Sequence, residues 1–273
     1  MKQVTVSVVM ITYGHEKYIE EAINGVLIQK CNFPIELIVA NDCSPDNTDE
    51  LIKKIIEDHP KGNLINYVRH TNNVGMMPNF IYALNMAKGK YVALCEGDDY
   101  WTDSQKLQKQ IDFMDANLDF SMCFHSVEII MARDGDYYSY DIPSNSVLML
   151  SDIIKKHYIP TCSLLFRNNY FKKNLPKWLS HSISGDLPLE ILLASQGKTK
   201  YLDEKMACYR RNEGGITQSA AQIAKMRSGY IYMYSKLASE IAFPHSLYLY
   251  YLVLRLKLGY LKKYLKKFII FLD

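Results

Sequence analysis

Leu94-Cys95-Glu96-Gly97-Asp98-Asp99-Tyr100-Trp101 closes an apolar run and sets three carboxylates side by side. The run itself, Tyr91-Val92-Ala93-Leu94-Cys95, predicts a strand buried on both faces. The acidic segment therefore falls at that strand's carboxyl end, where open α/β sheets bind their ligands. Adjacent carboxylates repel and raise each other's pKa, and a divalent cation or a ligand's hydroxyl groups would relieve that repulsion. Taken alone, the segment is equally well read as a solvated acidic turn.

Outward from it the chain alternates. Val4 to Ile11 is apolar and β-branched, which suits a central parallel strand. Tyr18, Ile19, Ala22, Ile23, Val26 and Leu27 then recur at helical spacing. Glu36 to Ala40 predicts a second strand that empties into the turn-forming cluster Asn41 to Thr48, which supplies an N-cap for a helix through Leu51, Ile52, Ile55 and Ile56. Leu64 to Arg69 predicts a third strand. Pro78 is placed as the first residue of a helix that Gly89 stops. On the far side of Trp101, Asp103 can cap a helix through Leu107, Ile111 and Met114. Beyond that the pattern loosens into an apolar stretch, Met122 to Ile130, and a loop between Arg133 and Ser146 that follows Met131 and takes in Tyr137-Tyr138. Strands alternating with helices predict a mostly parallel sheet covered on both faces, with functional residues in the loops after the strands.

A chain of 273 residues, 48% of them hydrophobic, can bury a substantial core. Its net charge of +3 is too small to indicate nucleic acid. Six cysteines without a Cys-x-x-Cys pair indicate neither a zinc site nor a disulfide framework, and a reduced, cytoplasmic compartment is expected. The start of the chain is unlike a signal peptide. No Gly-x-Gly-x-x-Gly follows the first strand and no Gly-x-x-x-x-Gly-Lys is present, so a nucleotide would have to be held by another device.

Carboxylates after the strands are candidates for that device. Asp42 follows the second strand, where its local sequence reads first as a turn-capping aspartate. Ser184-Gly185-Asp186-Leu187-Pro188 opens another helix, for which Asp186 is equally an N-cap. Met206 to Arg211 predicts a strand leading into Asn212-Glu213-Gly214-Gly215, a loop beside two fixed cations that suits a phosphate. His125 reads as a core histidine, and Tyr100 and Trp101 either wall a sugar pocket or pack in the core.

Several ordered motifs carry a resemblance to the family-two inverting glycosyltransferases of the GT-A fold. Val6 to Tyr13 resembles the family's opening strand and Val39-Ala40-Asn41-Asp42-Cys43-Ser44 its nucleoside-binding aspartate. Asn73-Val74-Gly75 with Asn79 resembles the donor-side helix, and Glu96-Gly97-Asp98-Asp99-Tyr100-Trp101 the DxD-type segment. Gly185-Asp186 matches the catalytic base, and Tyr209-Arg210 with Gly214-Gly215 the segment after it. The likeness covers roughly residues 1 to 220. Gly14, Glu96 and Asn212 depart from residues common in the family, which are Asn, Asp and His.

The resemblance implies an α/β, GT-A type, nucleotide-binding sheet of Rossmann-like character with a helical extension at the C terminus. It divides the chain into a glycosyltransferase domain, 1–238, and an amphipathic tail, 239–273. The domain splits into a nucleotide-sugar half, 1–117, and an acceptor half, 118–238. Thr12, Tyr13, Asp42, Asn73 and Asp98 would bind the donor, a nucleoside diphosphate sugar with UDP as the default. Asp99 would bind Mg or Mn, and Asp186 would deprotonate a hydroxyl of a glycan or lipid-linked acceptor. A sugar-nucleotide-binding protein without transfer activity and a nucleotidyltransferase are the alternatives.

The end of the chain is read separately. Leu247 to Leu254 is continuously apolar but far shorter than the roughly twenty residues a membrane span needs. Arg255, Lys257, Lys262, Lys263, Lys266 and Lys267 follow, interleaved with Leu261, Leu265, Phe268 and Leu272 at helical spacing. This is the pattern of a helix at an anionic membrane interface, here the inner face of the cell membrane, or of a terminal helix packed on its own domain or on a dimer partner with its lysines solvated.

Overall fold

A computed structural model describes residues 3–131, 142–144, 146–156, 159–170, 175–211 and 220–269. The first half alternates as the apolar runs predict. Strands β1 (Val6–Thr12), β2 (Ile35–Asn41), β3 (Ile65–Arg69) and β4 (Tyr91–Leu94) are separated by helices α1 (Ile19–Leu27), α2 (Thr48–Asp58) and α3 (Met76–Met86). All four strands run parallel, β1 lying between β2 and β4 and β3 beyond β2. The strand order reverses between β1 and β4, and at such a switch point the connections diverge and leave a crevice at the carboxyl ends.

The second half extends the same sheet with less regular pieces. After β5 (Tyr100–Trp101) and α4 (Lys106–Ala116) comes the long β6 (Phe120–Met131), then β7 (Val147–Leu148), α5 (Leu150–Lys155) and β8 (Leu165–Arg167). Helix α6 (Asp186–Ala194), β9 (Lys198–Arg211), α7 (Ala220–Glu240) and α8 (His245–Ile269) complete the described chain. Among the described residues the sheet order is β3-β2-β1-β4-β8-β6-β9-β5, with β7 also beside β9. β8 is antiparallel to both β4 and β6, whereas β6 and β9 run parallel through three register shifts. The two sequence halves thus share one sheet.

Alternation along β1 splits the core into two layers. Val6, Val8 and Met10 pack with Ile19, Ile23 and Leu27 of α1 and with Leu107, Ile111 and Met114 of α4. Val9 joins Ile38 and Ala40 on the other face, against Phe80 and Leu84 of α3, Leu189 and Leu193 of α6, Met233 of α7 and Leu249 of α8. The terminal helix is therefore packed on its own domain along one face. Arg227 of α7 secures it by donating from Nε and Nη2 to the Leu256 carbonyl at 3.0 and 2.6 Å.

Some local expectations change. Pro78 is the third residue of α3 rather than the first. Gly89 lies past that helix, and its role is a close approach: a Cβ there would stand 2.6 Å from the Ser7 amide nitrogen. At the start of α2 Asn47 holds the cap position without a side-chain cap bond, and Asp46 just before it accepts from the Thr48 amide at 3.2 Å and the Thr48 hydroxyl at 2.6 Å. The Tyr137-Tyr138 cluster and the Asn212 to Gly215 loop lie outside the described residues, as do the side chains from residue 260 onward.

Candidate active site

The crevice at the switch point is built from the ends of β1, β2 and β4. The acidic segment leaves β4 and lies directly over the end of β1. The Gly97 amide donates to the Ile11 carbonyl at 3.0 Å. A Cβ on Gly97 would come within 2.7 Å of Thr12 Oγ1 and 2.8 Å of His15 Nδ1. Only glycine allows this approach, which is why the segment reads Glu-Gly-Asp-Asp. Thr12 is buried and shares a hydrogen bond of 3.1 Å with His15, while Tyr13 is exposed beside it.

Asp42 is fixed on the other side of β1. Its own amide donates to the Thr12 carbonyl at 3.0 Å, and its carboxylate accepts from the amides of Val74 at 2.7 Å and Gly75 at 2.9 Å. Asn73 Oδ1 accepts from the same Gly75 amide at 3.0 Å. Asp42 and Asn73 together shape the loop entering α3, which gives Asp42 a capping role across a long sequence separation. Thr12, Tyr13, Asp42 and Asn73 thus lie at the ends of β1 and β2 and at the entry to α3.

The three carboxylates of the acidic segment differ in environment. Asp99 is 1% exposed, and its Oδ1 accepts from the Arg210 amide at 2.8 Å. Burial, helped by the charge of Asp98, pushes its carboxyl up to about 7. Glu96 keeps Oε2 sealed from solvent without a hydrogen-bond partner. Its carboxyl lies well above the usual range, first through burial and then through the charges of Asp99, Asp98 and Asp186. Asp98 is half-buried, and its charge reaches His15, whose pKa is nevertheless lowered because burial outweighs it.

Asp186 stands across the crevice. It is the first residue of α6, with Gly185 in the cap position, and its Oδ1 accepts from the Leu187 amide at 2.8 Å. Gly185 has no room for a side chain, since a Cβ would meet Phe80 of α3 at 2.9 Å. The loop is thereby pressed onto α3. The charge of Asp186 is felt both by Glu96 and by the Tyr230 phenol of α7, whose pKa is raised first by burial. Asp186, Asp98 and Asp99 are therefore near enough for their charges to be felt by Glu96.

Arg210 is the residue that sequence reasoning left without a specific role. Its Nη1 donates to the Asp98 carbonyl at 2.7 Å, and its other terminal nitrogen pairs with Glu21 of α1. The guanidinium lies 4.3 Å from the Tyr100 ring centre and 5.2 Å from that of Tyr18. Its backbone and side chain thus grip two consecutive acidic residues. The sequence marked it only as one of two cations at the end of an apolar strand and as part of the Tyr209-Arg210 motif. His15 carried no signal beyond following the first strand.

Among the described residues no three His, Cys, Asp or Glu side chains meet closely enough to hold a metal unaided. The donor set nonetheless suits a hard divalent cation that brings its own oxygen ligands, because Glu96 has an unpartnered buried oxygen and Asp98 adds a second carboxylate. Magnesium commonly binds in this way, through one or two carboxylates plus phosphate oxygens.

Comparison with known proteins places these features. The uncharacterized protein Rv1520 of Mycobacterium tuberculosis (strain ATCC 25618 / H37Rv) is 35% identical over 217 residues. That stretch is 78% of this chain and 61% of the relative, so the chain spans about three fifths of that protein's length. The structure of S. aureus TarS 1-349 in complex with UDP-GlcNAc superposes with a TM-score of 0.72 at 19% identity, covering 94% of this chain and 73% of that one. The mannosyltransferase PcManGT from Pyrobaculum calidifontis, in complex with GDP-Man and Mn2+, gives 0.61 at 14%, covering 94% and 70%. Both share the fold. The model described as glycosyl transferase family 2 matches residues 7–175, which include all of β1 but Val6, the Asp42 turn and the whole acidic segment, and the chain belongs to that family.

Proposed function

We propose that the chain transfers a sugar from a nucleoside diphosphate donor to a hydroxyl of a glycan or lipid-linked glycan, with inversion at the anomeric carbon. The observation that carries this reading is the acidic segment at the end of β4 with Asp186 across the crevice from it, close enough for its charge to raise the Glu96 carboxyl. Thr12, Tyr13, Asp42 and Asn73 form the nucleoside side, and a uridine-linked donor is the first to test. Asp186 takes the proton from the attacking hydroxyl as the new glycosidic bond forms and the diphosphate departs from the opposite side.

Mg or Mn completes the donor site, and when bound it neutralises charge on the leaving diphosphate. The burial of Asp99 and its bond to the Arg210 amide favour Asp98 with Glu96, rather than Asp99, as the protein's contact to that ion. Asp99 then becomes the residue that positions the segment.

Product analysis tests the reading. Incubation with a panel of nucleotide sugars, a hydroxyl acceptor and Mn is expected to release nucleoside diphosphate. Pyrophosphate would indicate a nucleotidyltransferase, and release of neither would indicate a binding protein. Asp186→Asn is expected to lower turnover by roughly two to four orders of magnitude while leaving donor affinity nearly unchanged, as for loss of a general base. Near-normal turnover in that variant would reduce Asp186 to its place at the start of α6.

A further inference from the structure

We infer that the outward face of α8 is a docking surface for an anionic lipid bilayer. The helix buries Leu249 and Val253 against its own domain, yet Leu247 (62%), Tyr251 (53%), Leu254 (55%) and Leu258 (50%) stay exposed. Their spacing of four, three and four residues puts them on one stripe. Tyr250 stands exposed beside it, and Phe243, 78% exposed, sits just ahead of the helix. A contiguous apolar strip of this size marks an interaction site.

Charge selects the occupant. Arg255 and Lys257 are both exposed, and helical geometry sets them on the two flanks of the stripe. The sequence from Ile241 to Leu272 contains no Asp or Glu, and it continues the apolar spacing through Leu261, Leu265 and Phe268 with four further lysines between. A second copy of the chain docking face to face would set basic flanks against basic flanks with no carboxylate between them, which disfavours a symmetric dimer. Anionic headgroups match the flanks, the leucines enter the acyl boundary, and tyrosines suit the headgroup level. Among the described residues no helix is long and apolar enough to cross a membrane, so the contact is interfacial.

Helix α7 links this surface to the crevice. Arg227 binds the Leu256 carbonyl of α8, and two residues along α7, Gly229 lies so close to Ile183 that a Cβ would be 2.6 Å from it. Ile183 leads directly to Asp186. A bilayer on α8 would therefore lie one helix away from the loop that meets the acceptor, an argument for a lipid-linked acceptor that rests on the function proposed above.

The test is co-sedimentation of the full chain with vesicles of phosphatidylcholine alone or mixed with phosphatidylglycerol, without donor or acceptor. Failure of the transfer reading therefore leaves this test intact. The wild type is expected to pellet with the mixed vesicles only and to be released by salt. Leu247→Ser/Tyr251→Ser/Leu254→Ser is expected to weaken binding at least about tenfold, and Arg255→Glu/Lys257→Glu by a similar factor with a shallower salt dependence. All five positions are exposed, and an unchanged melting temperature would confirm that both variants fold. The inference is overturned if the wild type does not bind, if it binds both vesicle types alike, or if the triple variant binds as the wild type does. It is also overturned if ultracentrifugation shows a dimer that the triple variant dissociates while vesicle binding is absent.

Discussion

Asp98 and Asp99 are adjacent, yet Asp98 lies within the turn that the Asp99 amide closes onto the Glu96 carbonyl and Asp99 at its exit into β5, so the two side chains meet different surroundings. Asp99 turns inward to the Arg210 amide and Asp98 toward His15. Calorimetry should find that Asp98→Asn abolishes Mn-dependent tightening of nucleoside diphosphate binding with little change in melting temperature. Asp99→Ala should instead cost about 1–3 kcal/mol of stability, because it strands a partly buried amide. A second residue-level case is Lys106, which is fully buried with its Nζ 3.9 Å from the Trp101 ring centre and 2.7 Å from Gln110 Oε1. Burial lowers its pKa from 10.5 to about 8. Between those values the unfolded chain binds more protons, so this group's contribution to stability rises with pH from about 8 to 10.5, by at most roughly 3 kcal/mol. Buried thiols and phenols titrate nearby, so the quantity to measure is the difference between wild type and Lys106→Met. That variant should be relatively stabilised near pH 7 and lose its advantage as pH approaches 10.

Elements were legible in proportion to how far they stand on their own pattern. β1 to β4 and their helices follow from apolar runs and helical spacing, because each buries a full face without help from distant segments. β5, β7 and β8 have two or three residues apiece and exist only because β9, β4 and β6 supply partners. Adjacency hid the division of labour between Asp98 and Asp99, and Arg210 acts across more than a hundred residues of sequence. Gly25 is another such case, since nothing in the sequence of α1 shows that a Cβ there would meet the Trp101 amide nitrogen at 2.7 Å. Gly25→Ala should therefore destabilise by about 1–3 kcal/mol through overpacking, despite alanine's better helix propensity. Chemical denaturation would show this, and a stabilised variant would refute the close approach.

At the level of the whole molecule, the segment set apart as a tail from residue 239 belongs to the core along one face. Leu249 is fully buried in the layer that also holds Val9, Phe80 and Leu189. Leu249→Ala should cost about 2–5 kcal/mol and shift a single unfolding transition rather than create a second one. Two transitions, one of them unaffected by the substitution, would show α8 to be an appendage.

The grip of Arg210 on the acidic segment also bears on the order in which the molecule is made. β1 to β4 all lie before residue 95 and can assemble while the remainder is still being synthesised, but β6 must wait for β9, its partner about eighty residues later. The amide that fixes Asp99 and the guanidinium that holds the Asp98 carbonyl both arrive with the end of β9. A nascent chain halted before that strand would contain every carboxylate of the acidic segment without the geometry to use them, so competence comes late in folding, well after β1 to β4 have formed.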